Sequence, residues 1–522
     1  MPEKLKLIEE LHALVDEDPS AALARISELG DSPEEAFASA AILIDGGGYL
    51  CNFAAVNQGV EILEELRRNA KPDPGLAYNL ANGLQARARL IYGPSSPYCG
   101  QSFEDHFQAR IRFGEAARSR DAPFDLASQA LTNMGTLLQD TSRWFEALDY
   151  FREAQYVYPK NAVAMLKELT LLQQLGQLFQ SDPHSYQCYG HLPTIVGRIR
   201  SLAENIERNL DMLTAFSGTG ALPFAQQQIA MAKALPSSPL GLIDEPYFQF
   251  VSKHQLSLFM HCSVAGYETG LFDVLTIPTI TRTLDDEDGV PEIYAMLNVI
   301  KADFSFARQV YFDVLEDDAD TPYYETTTHA DTLDYALYGV RYSALTSAQR
   351  IAFDILDKVA VAIACYLKMP KAHKTDFSKL WGHEKGKPKK FHFHDEIARC
   401  LDTGNFGLIA LHNIFHDMSS DDSRGIGIME AHKTYRNAST HRFTVLHDFG
   451  KQERKSPSLA VDHQDIMEFE RMTLDSLKLA RSAIFYFVDM IMFAEASRPK
   501  LDDGIIVPMV VPDHAYIRGQ YD

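Results

Sequence analysis

The chain has 522 residues, of which 46% are hydrophobic and 23% charged, a balance that excludes a fibrous or largely disordered protein. Its six cysteines are far apart and form no CxxC pair, which argues against a disulfide scaffold or a zinc ribbon and favours a reducing compartment. The net charge of −22 arises in the first 345 residues, because residues 346–522 hold 24 basic and 24 acidic groups. The N-terminus lacks a signal-peptide core and no apolar run is long enough for a bilayer, so we expect a soluble cytoplasmic protein that does not contact membranes.

The first third of the chain has the pattern of a helical repeat. After Gly135, the residues Ala147, Phe151 and Ala154 have the spacing A-x3-F-x2-A. This is the tetratricopeptide (TPR) pattern, in which small residues let two antiparallel helices approach closely. We predict TPR-like repeats over residues 1–182, which either offer a concave surface to a peptide or protein partner or serve only as a helical platform. The same spacing recurs in an interrupted copy at Ala109, Phe113 and Ala116.

The rest of the chain is predicted to be mostly helical, so the fold class is predominantly all-α. Residues 183–292 contain many prolines, and we predict an irregular, mostly helical connecting region there. From residue 293 onward apolar residues recur three and four positions apart. Four long helices are predicted in the last 180 or so residues, which favours a helical bundle over residues 293–522. Their predicted bounds are 346–369, 406–418, 426–447 and 463–496.

A basic insertion interrupts the predicted bundle at residues 368–394. It contains eight lysines, opposed only by Asp376 and Glu384. One interpretation is a solvated loop, and the other is a phosphate-binding patch on a chain that otherwise repels polyanions. The second interpretation predicts RNA contacts by insertion residues and by basic residues of the predicted helix over 426–447, namely Lys387, Lys389, Lys390, Lys433 and Arg442.

The candidate for chemistry is Arg436-Asn437-x3-His441 in the predicted helix over 426–447. RNA carries its own nucleophile, the 2′-OH, so its cleavage needs only a base, an acid and stabilisation of charge at phosphorus. Histidine titrates near neutrality and arginine presents a planar fork to phosphate oxygens. On a helix, positions 437 and 441 share a face, whereas positions 436 and 441 lie about 140° apart. A site that needs both therefore requires a bend or a second subunit.

Spacing alone is a weak signal, because the sequence contains a second pair at the same separation. Arg442 and His447 are also five positions apart, but Phe443 follows that arginine where a polar residue follows Arg436. The first pair is therefore the better candidate.

With its polar residue and basic surroundings, the motif Arg436-Asn437-x3-His441 resembles that of the HEPN superfamily, whose ribonucleases carry R-x4–6-H. Residues 293–447 are similar to a TPR-linked HEPN branch. The similarity is carried by the stretch from Phe304 to Leu315, the long helix over 350–366 and the loop around Trp381.

The resemblance implies a ribonuclease that needs no metal or cofactor and whose site forms at a homodimer interface. In it, Arg436 would stabilise the phosphorane, His441 would transfer the proton and Asn437 would orient the pair or the phosphate. It also implies a toxin or antiphage-defence effector. The net charge of −22 disfavours broad RNA affinity and favours a restricted substrate such as a structured tRNA loop. Small HEPN toxins carry a tyrosine two positions after the histidine as a target for an antitoxin, and Phe443 stands there instead.

Two other functional classes stay open at the level of the sequence. The first is a non-catalytic helical adaptor whose HEPN-like bundle only dimerises and binds protein or RNA. The second is a metal-dependent hydrolase that uses His412 and His416, four positions apart on one helical face, beside Asp417. His392-Phe-His394-Asp395 is a weaker metal pattern. The sequence contains no P-loop and no G-x-S-x-G element.

Overall fold

Helices dominate the protein, which confirms the predominantly all-α prediction. Among the helices of the described residues, none combines the length and the apolar character that crossing a bilayer requires. The computed structural model describes residues 2–69, 71–92, 100–181, 192–236, 245–259, 273, 275–277, 280–283, 290–316, 323, 325–385, 390–421, 425–450, 460–498 and 506–509.

The chain divides into two compact units. Unit 1 comprises residues 1–174, 196–237 and 416–430, and unit 2 comprises 175–195, 238–415 and 431–522. Unit 1 therefore includes a short segment from late in the chain. The predicted division into repeats, connecting region and bundle stays a prediction.

The N-terminal half consists of helices, some of which have a side-chain cap at the first turn. The Asp18 side chain accepts a hydrogen bond from the Ala21 amide, and the Ser32 hydroxyl accepts one from Glu35, which satisfies amides that have no partner within the helix. The helices are α1 (Pro2–Glu17), α2 (Pro19–Ala24), α3 (Pro33–Tyr49), α4 (Phe53–Asn69), α5 (Pro74–Tyr92), α6 (Gly100–Arg118), α7 (Phe124–Asp140), α8 (Trp144–Val157), α9 (Ala162–Ser181), α10 (Leu192–Arg208), α11 (Leu210–Ser217) and α12 (Leu222–Ala234).

Helices α7 and α8 pack where the repeat pattern places a small residue opposite an aromatic one. A Cβ atom at Gly135 would lie 2.6 Å from the Phe151 ring, so only glycine allows this approach. Ala147, Phe151 and Ala154 are fully buried. These contacts are compatible with the predicted repeats, and the TPR assignment itself stays a prediction.

The C-terminal half surrounds one long buried helix. The helices are α13 (Pro246–His254), α14 (Glu292–Leu315), α15 (Val340–Tyr366), α16 (Asp395–Asp402), α17 (Phe406–Asp417), α18 (Glu430–His441) and α19 (Ile466–Ala496). In α19 every residue from Leu479 to Ile491 is buried, as expected for a helix packed on all sides. The Asp465 side chain caps its first turn by accepting from the Glu468 amide at 3.0 Å.

Short strands join the helices. In a three-stranded sheet, β7 lies between β2 and β8, antiparallel to β2 and parallel to β8. The strands are β1 (Ile280–Thr283), β2 (Ala336–Leu337), β3 (Gly382–Lys385), β4 (Lys390–Phe393), β5 (Ser420–Asp421), β6 (Gly425–Ile426), β7 (Phe443–His447), β8 (Val461–Asp465) and β9 (Ile506–Met509). The pairs β1–β9, β3–β4 and β5–β6 are each antiparallel.

Candidate functional site

Helix α18, which carries the candidate motif, is fixed at its first turn by polar contacts with two neighbouring helices. His432 is buried, and its Nδ1 lies 2.9 Å from the Ser476 hydroxyl of α19. The Gln349 amide of α15 donates to the carbonyl oxygen of His432 at 3.4 Å. Tyr435 packs edge-on against Phe469 of α19. One side of α18 thus lies against the core of unit 2.

The candidate residues Arg436, Asn437 and His441 all belong to α18, although their side chains lie outside the described part of the structure. At 100° per residue, positions 437 and 441 lie about 140° and 180° around the helix from the buried His432. Position 436 lies only about 40° from it, at the edge of the packed side. Positions 437 and 441 therefore lie on the side of α18 opposite the buried His432, and position 436 lies apart from them.

The predicted helix over 426–447 is wrong at both ends. The observed helix covers Glu430–His441, and the next residues form strand β7. Phe443 to His447 are aromatic, β-branched or apolar, which suits a strand paired on both edges. The competing pair Arg442 and His447 is consequently not on one helix, since Arg442 is exposed beyond the helix and His447 is in the sheet.

His447 is fully buried in that sheet and is engaged through both ring nitrogens. Its Nδ1 lies 2.9 Å from the carbonyl oxygen of Asp334, and its Nε2 lies 2.8 Å from Nδ1 of His463. Sequence reasoning missed this cluster, because its three residues are far apart in the chain and no local spacing signals it.

The basic insertion contains the antiparallel strand pair β3–β4, and the residues before β3 form its base. Lys387 and Lys389 lie outside the described residues, as does the side chain of Lys390. At the base, Trp381 is fully buried and packs edge-on against Phe377 and against the ring of His412. Of the other predicted RNA-binding residues, Arg442 is exposed and Lys433 is half-buried.

Two residues of the His412-x3-His416-Asp417 pattern are engaged in other contacts. His412 is buried among the rings of Trp381, Phe393 and Phe415. The Asp417 carboxylate is paired with the guanidinium groups of Arg110 and Arg143, whose positive charges oppose a cation at that oxygen pair.

Arg308, in the stretch that carries the family resemblance, stabilises the fold of unit 2. It is buried and pairs through two nitrogens with the Asp273 carboxylate at 2.8 and 3.0 Å. It also donates to the Tyr247 hydroxyl and to the carbonyl oxygen of Leu256. Such a bidentate pair fixes geometry as well as charge.

Three titratable groups elsewhere in unit 2 are poorly suited to act as a nucleophile or base at neutral pH. Burial raises the pKa of the Cys365 and Cys400 thiols, whereas a nucleophilic thiol needs a lowered pKa. Burial, aided by the charge of Lys478, lowers the pKa of His254 to about 4. That ring is therefore neutral near pH 7.

Comparison with known families identifies one part of the chain. Residues 284–494 match the family model described as LA2681-like HEPN. This part of the chain is a HEPN-superfamily domain, as the motif and the helices around it indicated. No curated protein and no solved structure matches the chain. Because HEPN domains include ribonucleases, the match indicates a nuclease-type or RNA-related function.

Proposed function

We propose that the protein is an endoribonuclease that cleaves RNA by attack of the 2′-OH, without a catalytic metal. The observation that carries this proposal is the Arg436-Asn437-x3-His441 motif on α18 of a HEPN domain. The first turn of that helix is fixed through His432, and positions 437 and 441 lie on its other side.

The three residues have distinct roles in this mechanism. His441 takes the proton of the 2′-OH or gives one to the leaving 5′-oxygen. Arg436 stabilises the negative charge that builds on the phosphorane oxygens. Asn437 orients the phosphate or the histidine. Because position 436 lies about 140° from position 441 on the helix, the site takes its arginine and histidine from the two subunits of a homodimer.

The repeat half supplies sensing or partner docking, and the protein acts as a toxin or antiphage-defence effector. Its net charge of −22 disfavours broad RNA affinity. A structured RNA such as a tRNA loop, held at the basic insertion and by Lys433 and Arg442, fits this charge distribution better than bulk RNA does.

The first experiment is incubation of total RNA and purified tRNA with the full chain in EDTA. Cleavage by the unmodified protein should yield 2′,3′-cyclic phosphate ends. Arg436→Ala and His441→Ala should each lower the rate by about 100-fold or more, because each removes a group that acts in the transition state.

The matched control is Arg471→Ala, an exposed arginine on α19, which should cleave at the original rate. Cleavage that survives both motif variants would overturn the site assignment. Intact RNA in every lane would instead favour a non-catalytic adaptor. In that case overexpression should not arrest growth, whereas the ribonuclease should arrest it in a way that His441→Ala relieves.

A further inference from the structure

Three residues from separate parts of unit 2 converge beside the β7–β8 strand pair. Asp334 lies just before β2, His447 ends β7 and His463 is in the middle of β8. One potential ligand atom from each, a carboxylate oxygen and two ring nitrogens, lies within 4.8 Å of the others. His447 and His463 are both buried. Two imidazoles and a carboxylate form a ligand set suited to Zn²⁺.

The hydrogen bonds of His447 fix its tautomer. A carbonyl oxygen can only accept, so Nδ1 of His447, 2.9 Å from the Asp334 carbonyl oxygen, must carry the proton. In the neutral ring, Nε2 then has the lone pair, and it faces Nδ1 of His463 at 2.8 Å. Zinc-binding histidines are oriented in this way, with the second nitrogen donating to a backbone carbonyl or a carboxylate.

The backbone around Asp334 is held in an unfavourable conformation. Its two neighbours, Leu333 and Tyr335, have φ angles of 54° and 57°, in the left-handed region that bulky residues rarely adopt. Such residues cluster at functional sites. The Asp448 amide holds this loop by donating to the Tyr335 carbonyl oxygen at 3.2 Å. This loop conformation places both the carbonyl oxygen and a carboxylate oxygen of Asp334 near His447.

We propose that Asp334, His447 and His463 form a structural Zn²⁺ site. Zinc binds Nε2 of His447, Nδ1 of His463 and a carboxylate oxygen of Asp334, and a water completes the tetrahedron. The two nitrogens separate from 2.8 Å to about 3.3 Å, as zinc–nitrogen bonds of about 2.0 Å require. The proton on Nδ1 of His463 leaves that nitrogen, and the neutral ring carries a proton on Nε2 instead.

The bound metal would stabilise the position of the loop before β2 against strands β7 and β8. Strand β7 begins two residues after His441, the end of helix α18. The metal therefore stabilises the chain immediately beyond the candidate ribonuclease motif, and it takes no part in the proposed RNA chemistry.

The test is metal stoichiometry of the full chain with any affinity tag removed. The protein is stripped with EDTA, dialysed against Zn²⁺, and its bound zinc measured by atomic emission. The unmodified chain should bind one zinc. His463→Gln and Asp334→Asn should each weaken binding by at least about tenfold, because each removes a ligand. Co²⁺ in place of zinc should give the intense visible absorption of a tetrahedral site.

The matched control is His392→Gln on the β3–β4 hairpin, where His392 is paired with His383 across the strands. This histidine-rich hairpin is the obvious competing place for zinc, and the control variant should keep one zinc. The proposal is overturned if the unmodified chain binds none, if His392→Gln loses the metal, or if His463→Gln and Asp334→Asn keep it. Circular dichroism checks folding, and Asp334→Asn, a half-buried loop position, decides the matter if His463→Gln does not fold.

This proposal and the ribonuclease proposal fail separately. Arg436→Ala and His441→Ala keep all three zinc ligands, so both variants should still bind one zinc even though they do not cleave RNA. The cleavage assay is also repeated in zinc-containing buffer, so that a loss of stability in EDTA is not mistaken for a loss of chemistry.

Discussion

The carboxylate of Asp417, at the end of α17, lies between two arginines of the N-terminal half. Arg110 donates to one oxygen at 2.7 Å, and Arg143 donates to the other. The Asp417 side chain is 1% exposed, that of Arg110 is 0% exposed and that of Arg143 is 2% exposed. Arg143 also pairs with Glu146. The buried cluster therefore contains two guanidinium groups and two carboxylates. Segment 416–430 is thereby part of unit 1, and the chain continues directly from it into α18.

Asp417→Asn should lower the free energy of unfolding by about 3–5 kcal/mol, because it leaves buried guanidinium charge without its counter-charge. Urea unfolding followed by circular dichroism measures the effect. Asp376→Asn is the control, since its pair with Lys379 is solvent-exposed and should change stability little. Equal midpoints for the two variants would show that the buried pairs do not stabilise the protein.

At the scale of elements, the close approach of two helices was predictable where a small residue allows it. The repeat pattern predicts a close approach of helices at its small residues, and Gly135 of α7 indeed lies against the Phe151 ring of α8. The end of α18 was not predictable, because a run such as Phe443–His447 is compatible with either a helix or a strand. Pairing with β8, eighteen residues further along the chain, stabilises the strand conformation of this run.

Gly135→Ala should destabilise the protein by about 1–3 kcal/mol, since the new methyl group would overlap the Phe151 ring. Gly176→Ala is the matched control within helix α9, where a Cβ meets no atom within 4 Å. It should be neutral or stabilising by up to about 1 kcal/mol, through better helix propensity. Thermal unfolding of both variants measures the difference, and a stable Gly135→Ala protein would contradict the close packing.

At the scale of the whole molecule, the proposed ribonuclease needs two copies of the chain. Helix α18 separates positions 436 and 441 by about 140°. A site shared across a two-fold axis therefore joins Arg436 of one protomer to His441 of its partner.

Mixing Arg436→Ala and His441→Ala proteins should then restore cleavage to about a quarter of the original rate. Random exchange makes about half of the dimers mixed, and each mixed dimer has one of its two sites intact. A mixture of Arg436→Ala with the double variant Arg436→Ala/His441→Ala should stay inactive. Light scattering verifies the dimer, and a dimeric mixture without activity would place both groups of a site in one chain.

The sequence by itself determined the helical class, the HEPN resemblance and the motif on α18, because helical periodicity and short motifs are local properties of the chain. It also indicated a close approach of two helices at Gly135, because only a small residue permits one. Only the tertiary structure showed that α18 ends at His441 and that Asp417 forms ion pairs with two arginines. It likewise brought Asp334, His447 and His463 together. These features depend on strand pairing and burial between residues far apart in the chain, and no local pattern of residue types encodes such pairing.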